Sequence, residues 1–284
     1  MKLKTAGLVT VAAGISLFGA GCSGGGSGNG SSSQSPQRFA GNYSGAYVAI
    51  GSESGGDVSG VFNGTTDAQG RVAGTVTQDG GLPPFPATGT IGGNGAVNLT
   101  ANGSIPTTPP ITFSTVLGGT ATINNGDAVF GGTLLTTQSD GNNPRGRFVG
   151  IRNVTGTSPF AGSYNGTFTG RFTNGGTTFG GTLAMTVNSN GLIRGTFSRT
   201  GTNIRVRPLV GTIDRSGNAQ LVALAEVEVP ADSNNFLLVV NQLTGKGTTT
   251  SSNTRITGSL NRTGDPSINA TGTFTATRTA TTQN

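Results

Sequence analysis

The chain has 284 residues, of which 51 are Gly, 10% are charged and 32% are hydrophobic, with no His, no Trp and a single Cys. Without His the commonest general base and metal ligand is missing, so Ser-His and Cys-His nucleophiles are excluded, and one Cys supplies neither an internal disulfide nor the ligands of a zinc centre. The formal charge of +6 is unevenly spread: residues 38 to 155 carry five Arg against six acids, a net of −1, and residues 156 to 284 carry nine Arg and Lys246 against five acids, a net of +5.

At the start of the chain, Lys2 and Lys4 precede an apolar run from Ala6 to Phe18. The run is too short for a permanent membrane span and reads as a secretory signal. It is followed by Gly19-Ala20-Gly21 and then Cys22. This resembles the lipobox of bacterial lipoproteins, which implies removal of residues 1–21 and diacylation of Cys22 as the new N-terminus. Ser23, in place of an Asp, implies an outer-membrane destination where the organism has one. A plain secretion signal with a nearby free thiol is the competing reading. Acylation supplies ~0.8 kcal/mol of membrane affinity per buried CH₂. Residues 22–37 are almost wholly Gly and Ser after the Cys, a flexible tether with a root-mean-square reach of roughly 20 Å. The expectation is an exported, lipid-anchored protein of the cell envelope whose first partner is the membrane.

From Phe39 onward the sequence repeats itself. Phe39-Ala40-Gly41-Asn42-Tyr43-Ser44-Gly45 returns 121 residues later as Phe160-Ala161-Gly162-Ser163-Tyr164-Asn165-Gly166, and Gly146-Arg147-Phe148 returns 126 later as Gly272-Thr273-Phe274. Offsets that grow only across loops are what duplication followed by loop insertion leaves behind. Each copy holds eight short runs in which apolar residues alternate with small or polar ones, broken by Gly with Asn, Asp or Ser. The first set is expected near 42–50, 57–66, 71–78, 87–92, 95–102, 111–123, 127–137 and 145–152. The second is expected near 163–172, 177–187, 192–199, 206–213, 218–228, 235–246, 254–262 and 268–278.

No segment carries a helical period. Eight strands joined by short turns form an up-and-down meander, and closure into a barrel removes the exposed edges. The expected architecture is therefore all-β: two tandem antiparallel eight-stranded up-and-down barrels, residues 38–155 and 156–284, each with its own core and able to fold alone. A transmembrane barrel is disfavoured by 6% aromatics and no Trp, which leaves no material for aromatic girdles.

Strand alternation puts Tyr43, Gly45 and Tyr47 on one face and Phe148, Gly150 and Arg152 on another, with Tyr164, Phe168, Phe274 and Arg278 repeating the scheme. The pattern resembles the calycin superfamily, in which a Gly-x-Trp on the first strand meets an Arg or Lys on the last. Here Gly41-Asn42-Tyr43 with Arg152, and Gly162-Ser163-Tyr164 with Arg278, take those places, Tyr standing for Trp in both copies. The resemblance implies barrels closed by these residues, with the cation stacked on an aromatic face.

Chemistry-bearing clusters are few. Glu226 and Glu228 lie two apart on a strand, suiting either paired carboxylates or a solvated face. Asn125, Asp127 and Asp140 to Asn143 offer oxygen ligands but no EF-hand spacing, and turn formation accounts for them better. No cofactor or metal is expected. Arg194, Arg199, Arg205, Arg207 and Arg215 crowd two strands of the second copy, forming either an anion-binding patch or a solvated positive face. In an exported chain the anion is a lipid headgroup or acidic polysaccharide rather than nucleic acid. The function expected is non-enzymatic: two barrel modules binding a small or anionic ligand or an envelope partner, or else solid barrels serving a structural or surface-adhesion role.

Overall fold

Hairpins close where a short polar side chain stands in for a backbone acceptor. In a computed structural model of the protein, Asp67 Oδ1 accepts the N–H groups of Gln69 at 2.9 Å and Arg71 at 2.8 Å. Asn188 Oδ1 accepts those of Asn190 and Leu192, both at 2.9 Å, in the second copy. The Gly that ends each turn has positive φ and sits against the next hairpin: a Cβ on Gly70 would lie 2.3 Å from the Ile91 carbonyl, and one on Gly191 2.1 Å from that of Ile213. The turns are fixed by chemistry that a side chain at those Gly positions would abolish.

The structure describes residues 34–51, 56–201, 206–228, 236–250, 253–264 and 266–279, with side chains omitted at 226–228 and 236–237. A short 3₁₀ turn, Pro36–Phe39, leads into β1 (Gly41–Ile50), β2 (Asp57–Thr66), β3 (Arg71–Gln78), β4 (Phe85–Ile91), β5 (Ala96–Ile105), β6 (Ile111–Asn124), β7 (Asp127–Gln138) and β8 (Arg145–Arg152). The second set is β9 (Gly162–Phe172), β10 (Thr178–Val187), β11 (Leu192–Arg199), β12 (Arg207–Ile213), β13 (Asn218–Glu228), β14 (Phe236–Thr249), β15 (Thr254–Thr263) and β16 (Ala270–Arg278). Each strand pairs antiparallel with its neighbours in sequence, and β1 with β8 and β9 with β16 close two separate barrels. The expected all-β architecture of two eight-stranded up-and-down barrels is the observed one.

Pro86 and Pro208 fall inside β4 and β12, where the expected strand starts were 87 and 206. Each faces a partner on one side, Thr75 and Thr196, but pairing with the following strand begins only after it, at Ala87 and Leu209. A residue without an N–H is tolerated at such a half-paired position.

Alternate residues fill the interiors. Tyr43, Phe62, Leu99, Leu117, Phe130 and Phe148 are buried in the first barrel, and Phe168, Leu183, Ile193, Leu209, Leu221, Leu243, Ile256, Leu260 and Phe274 in the second. Many inward positions are Gly, and aromatic rings take the place of the missing side chains. A Cβ on Gly150 would lie 2.1 Å from Phe130 Cζ, and one on Gly181 2.4 Å from Phe168 Cζ. The rings press against bare backbone, so a Gly-rich chain still builds two buried hydrophobic clusters.

The barrels also share a seam. Val48 and Ile151 point away from the first interior, Val210 and Leu224 away from the second, yet all four are buried. Strands β1 and β8 adjoin β11 to β13 there, and a Cβ on Gly191 would meet Ile151 Cδ1 at 3.3 Å. Each such aliphatic side chain contributes roughly 1.5–3 kcal/mol when fully withdrawn from water. Each copy thus has its own core, as the repeat implies, but the pair is joined by apolar packing rather than by a linker alone.

Candidate functional site

The closed ends of the two barrels are built alike. The Tyr43 hydroxyl donates to the Phe39 carbonyl at 2.7 Å, and the Tyr164 hydroxyl donates to the Phe160 carbonyl at 2.7 Å. Burial pushes the Tyr43 phenol up to about 12, opposed by the nearby Arg152 charge, and burial also raises Tyr164. Arg152 faces Tyr43 across β1 and β8, and Arg278 faces Tyr164 across β9 and β16.

The expected stacking of these guanidinium groups on aromatic faces is not what holds the ends. Arg152 Nη1 donates to the carbonyls of Arg38 at 3.1 Å and Ala40 at 3.4 Å, and its Nη2 donates to Gly126 at 2.5 Å, while Arg278 Nη1 donates to Ala161 at 3.3 Å. The chain turning into β1 or β9 leaves carbonyls without ladder partners, and the multi-pronged cation satisfies them better than it would a ring.

Above this floor the first barrel is hollow. A cavity of about 270 Å³ reaches from the ring layer of Phe62, Phe130 and Phe148 up to the mouth, where Gln78, Gln138, Asp140 and Asn142 stand among Phe85, Ile105, Ile111 and Phe113. The floor is a ring cluster, with Phe130 centred 5.4 Å from Tyr43 and 5.8 Å from Phe148. Phe85 and Phe113 meet edge to face at 4.7 Å in the upper wall, over the space left by Gly103. One polar pair interrupts the apolar lining: the hydroxyls of Thr115 and Thr136 share a hydrogen bond of 2.9 Å. Only one of the two protons is used in that bond, so the pair retains a donor and several lone pairs for a guest.

Register shows how the second barrel differs at the same layer. Leu117 faces Leu134 in the first barrel as Leu243 faces Leu260 in the second, and one step nearer the mouth Thr115 faces Thr136 as Asn241 faces Arg262. In the same layer Gln78 on β3 corresponds to Arg199 on β11, and Val58 on β2 to Phe179 on β10. The larger Phe179, Arg199 and Arg262 thus stand where the first barrel has Val58, Gln78 and Thr136. The Arg199 guanidinium lies 4.8 Å from the Phe179 ring centre and 5.8 Å from that of Phe172, with Arg262 6.0 Å from Phe172. Arg262 Nε donates to the Ile268 carbonyl at 3.2 Å and Nη1 to Asn241 Oδ1 at 3.3 Å. Burial, with the Arg199 charge adding to it, brings Arg262 down to about 10, and burial lowers Arg199 as well.

The arginines that crowd the second copy are dispersed by the fold. Arg194 pairs with Asp79 and Arg207 with Asp57, the latter at 2.5 Å, both across the seam. Arg215 donates its backbone N–H to Asp127 at 2.7 Å and its guanidinium to the carbonyl of Thr155 in the connecting segment. Arg205 and Cys22 lie outside the described residues. Of the four arginines described, only Arg199 stands in a barrel mouth; the others occupy the junction with the first barrel, opposite its acids. Glu226 and Glu228 are on β13, and their side chains are outside the described residues. Asp140 Oδ1 accepts the N–H of Asn142 at 3.1 Å, a turn contact, and among the described residues no group of His, Cys, Asp or Glu could hold a metal ion.

Gln78, Thr115, Thr136, Asn241 and Arg262 were not singled out by the sequence pattern. Their signal is parity: each is a polar residue in phase with inward Leu, Phe, Ala and Gly of its own strand.

No protein-family model matches the chain, and no curated protein matches it. Among solved structures it is similar, at 10% identity in each case, to three proteins. One is a protein of unknown function from the DUF3598 family of Nostoc punctiforme, with 88% of this chain and 99% of that one covered and a TM-score of 0.22. A second is a protein assigned as AttH from Nitrosomonas europaea, with 85% and 95% covered and a TM-score of 0.24. The third is kievitone hydratase from Nectria haematococca, with 89% and 93% covered and a TM-score of 0.24.

Proposed function

We propose that the protein is a non-enzymatic binding module of the cell envelope, lipid-anchored through Cys22, whose first barrel takes up a small, mainly apolar molecule. The observation that carries this reading is the cavity of about 270 Å³, apolar along its walls and polar at its mouth. An apolar cavity of roughly 150 Å³ holds benzene, so this one holds a guest of about ten to twelve non-hydrogen atoms. The Thr115 and Thr136 hydroxyls give such a guest one polar anchor, and the floor gives it tilted aromatic rings to rest on. The twin Gly-x-Tyr and Arg closures support a calycin-like reading of both barrels, and the lipobox-like segment ending at Cys22 supports export and anchorage, outer-membrane where there is one. The bulkier and cationic residues at the same layer of the second barrel, Phe179, Arg199 and Arg262, favour a different task for that half.

Native mass spectrometry of the mature chain carrying Cys22→Ser, after incubation with an envelope extract of its host, tests the reading. The expected result is one discrete small adduct, lost in Val58→Phe, which places in the first barrel the ring that Phe179 supplies in the second. An unadorned mass in the parent chain, or an adduct indifferent to Val58→Phe, would overturn it. Anchorage is tested separately: Cys22→Ser is expected to move the protein out of the membrane fraction, and continued pelleting with membranes would refute the lipid anchor.

A further inference from the structure

The mouth layer that is neutral in the first barrel is cationic in the second. Gln78, Thr115 and Thr136 give way at the same register positions to Arg199, Asn241 and Arg262. Two guanidinium groups are thereby set against the same ring, Phe172. Arg262 is only 4% exposed, and Asn241, whose amide oxygen accepts from it, is fully buried. The Arg199 Nε is buried with no hydrogen-bond partner. Among the described residues, both ion pairs belong to other arginines, Arg194 and Arg207, and no carboxylate pairs with Arg199 or Arg262.

Such an arrangement is costly when empty. Two like charges at low dielectric repel, and a buried cation without a counter-charge forfeits its hydration. An anion between them reverses both terms, and the planar guanidinium fork matches the paired oxygens of a carboxylate or a phosphoryl group. Arg199 is reached from outside, because it and Phe179 line an open surface depression together with Arg171, Thr178 and Thr200, with Arg262 buried behind it. The groups offered at this barrel end are the two cations and their rings, so the ligand is held by its charged group.

We propose that the mouth of the second barrel is an oxyanion site in which Arg199 and Arg262 together hold a carboxylate or phosphoryl group. It does not depend on the first barrel's cavity, and its failure would leave that reading untouched.

The test is thermal unfolding of the mature Cys22→Ser chain in sodium phosphate, sodium acetate and sodium chloride at matched ionic strength. Phosphate or acetate is expected to raise the midpoint by about 2 to 4 °C over chloride, as a ligand of the native state does in a protein of this size. A response to phosphate alone identifies a phosphoryl group, and a response to acetate alone a carboxylate; either supports the site. Arg199→Met is expected to melt no lower than the parent in chloride, since it relieves the repulsion, and to lose the anion response. Arg199→Lys, which keeps the charge and loses the fork, is expected to keep less than half of the response. Equal midpoints in all three salts would mean that the arginines are already neutralised within the chain and would overturn the proposal, as would an anion response that survives in Arg199→Met.

Discussion

Asp57, the first residue of β2, accepts a hydrogen bond of 2.5 Å from Arg207, the first residue of β12, 150 positions further along the chain. With side chains only 21% and 12% exposed, this pair is far better shielded than Asp79 and Arg194, whose side chains are 45% and 42% exposed. The negative balance of the first copy and the positive balance of the second are thus partly consumed by each other.

Shielding decides what each pair is worth. Asp57→Asn is expected to cost about 1–3 kcal/mol, because it removes a charge partner from a largely shielded guanidinium, while Asp79→Asn costs less than about 1 kcal/mol. Urea unfolding of the two variants gives the comparison, and equal losses would show that burial at the seam does not matter.

The apolar part of the seam makes a second expectation. Ile151→Ala, at a position pointing out of its own barrel, is expected to destabilise by about 2–4 kcal/mol, as in a core. Either copy produced alone exposes Val48 and Ile151, or Val210 and Leu224, and is expected to unfold at lower denaturant than the joined chain. Unchanged midpoints for the separate halves would make the seam an incidental contact.

The buried phenols set a dependence on alkaline pH. Tyr43 in the folded protein titrates at about 12, above its ordinary 10.0, so the folded state holds the proton that the unfolded state has already lost. Its contribution is complete below pH 10 and drains away as pH climbs toward 12. Tyr43→Phe should flatten that decline and, by removing the donor to the Phe39 carbonyl, cost about 1–2 kcal/mol at neutral pH. Denaturant midpoints across the alkaline range check both statements.

Gly41 precedes the Tyr43 closure with φ +142°, and a Cβ there would meet Arg152 Cδ at 2.9 Å; Gly162 repeats this with Arg278 Cδ at 2.7 Å. Gly41→Ala is expected to destabilise by about 1–3 kcal/mol through backbone strain. Gly118→Ala, where added bulk meets nothing within 4 Å, is the control and should be neutral within about 0.5 kcal/mol.

The strands were legible in the sequence because their limits are written locally, in Gly after Asn, Asp or Ser and in alternation between turns. The expected limits agree with the observed strands to within about three residues, and β4 begins earlier than expected because Pro86 reads as a stop, yet its outer side has no neighbour to satisfy. The closing residues Tyr43, Arg152, Tyr164 and Arg278 were legible through the repeat, but not the carbonyls that receive the arginines, which come from a turn and a distant hairpin. What the pattern could not show is which arginine finds which acid, since pairing across the seam depends on how two closed barrels meet. Nor could it show the cavity of the first barrel, which depends on how side chains from several strands meet in one layer.

Rings lying on bare backbone couple positions far apart in sequence. Phe130 occupies the room that Gly150 vacates, and Phe179 the room at Gly170. Enlarging the glycine alone displaces the ring, and shrinking the ring alone leaves a trough in the wall, so neither change is neutral by itself. Homologues that depart from this chain should therefore exchange such partners jointly, a larger residue at the glycine accompanied by a smaller one at the aromatic, and these linked exchanges would mark the barrel wall in an alignment more clearly than any invariant residue.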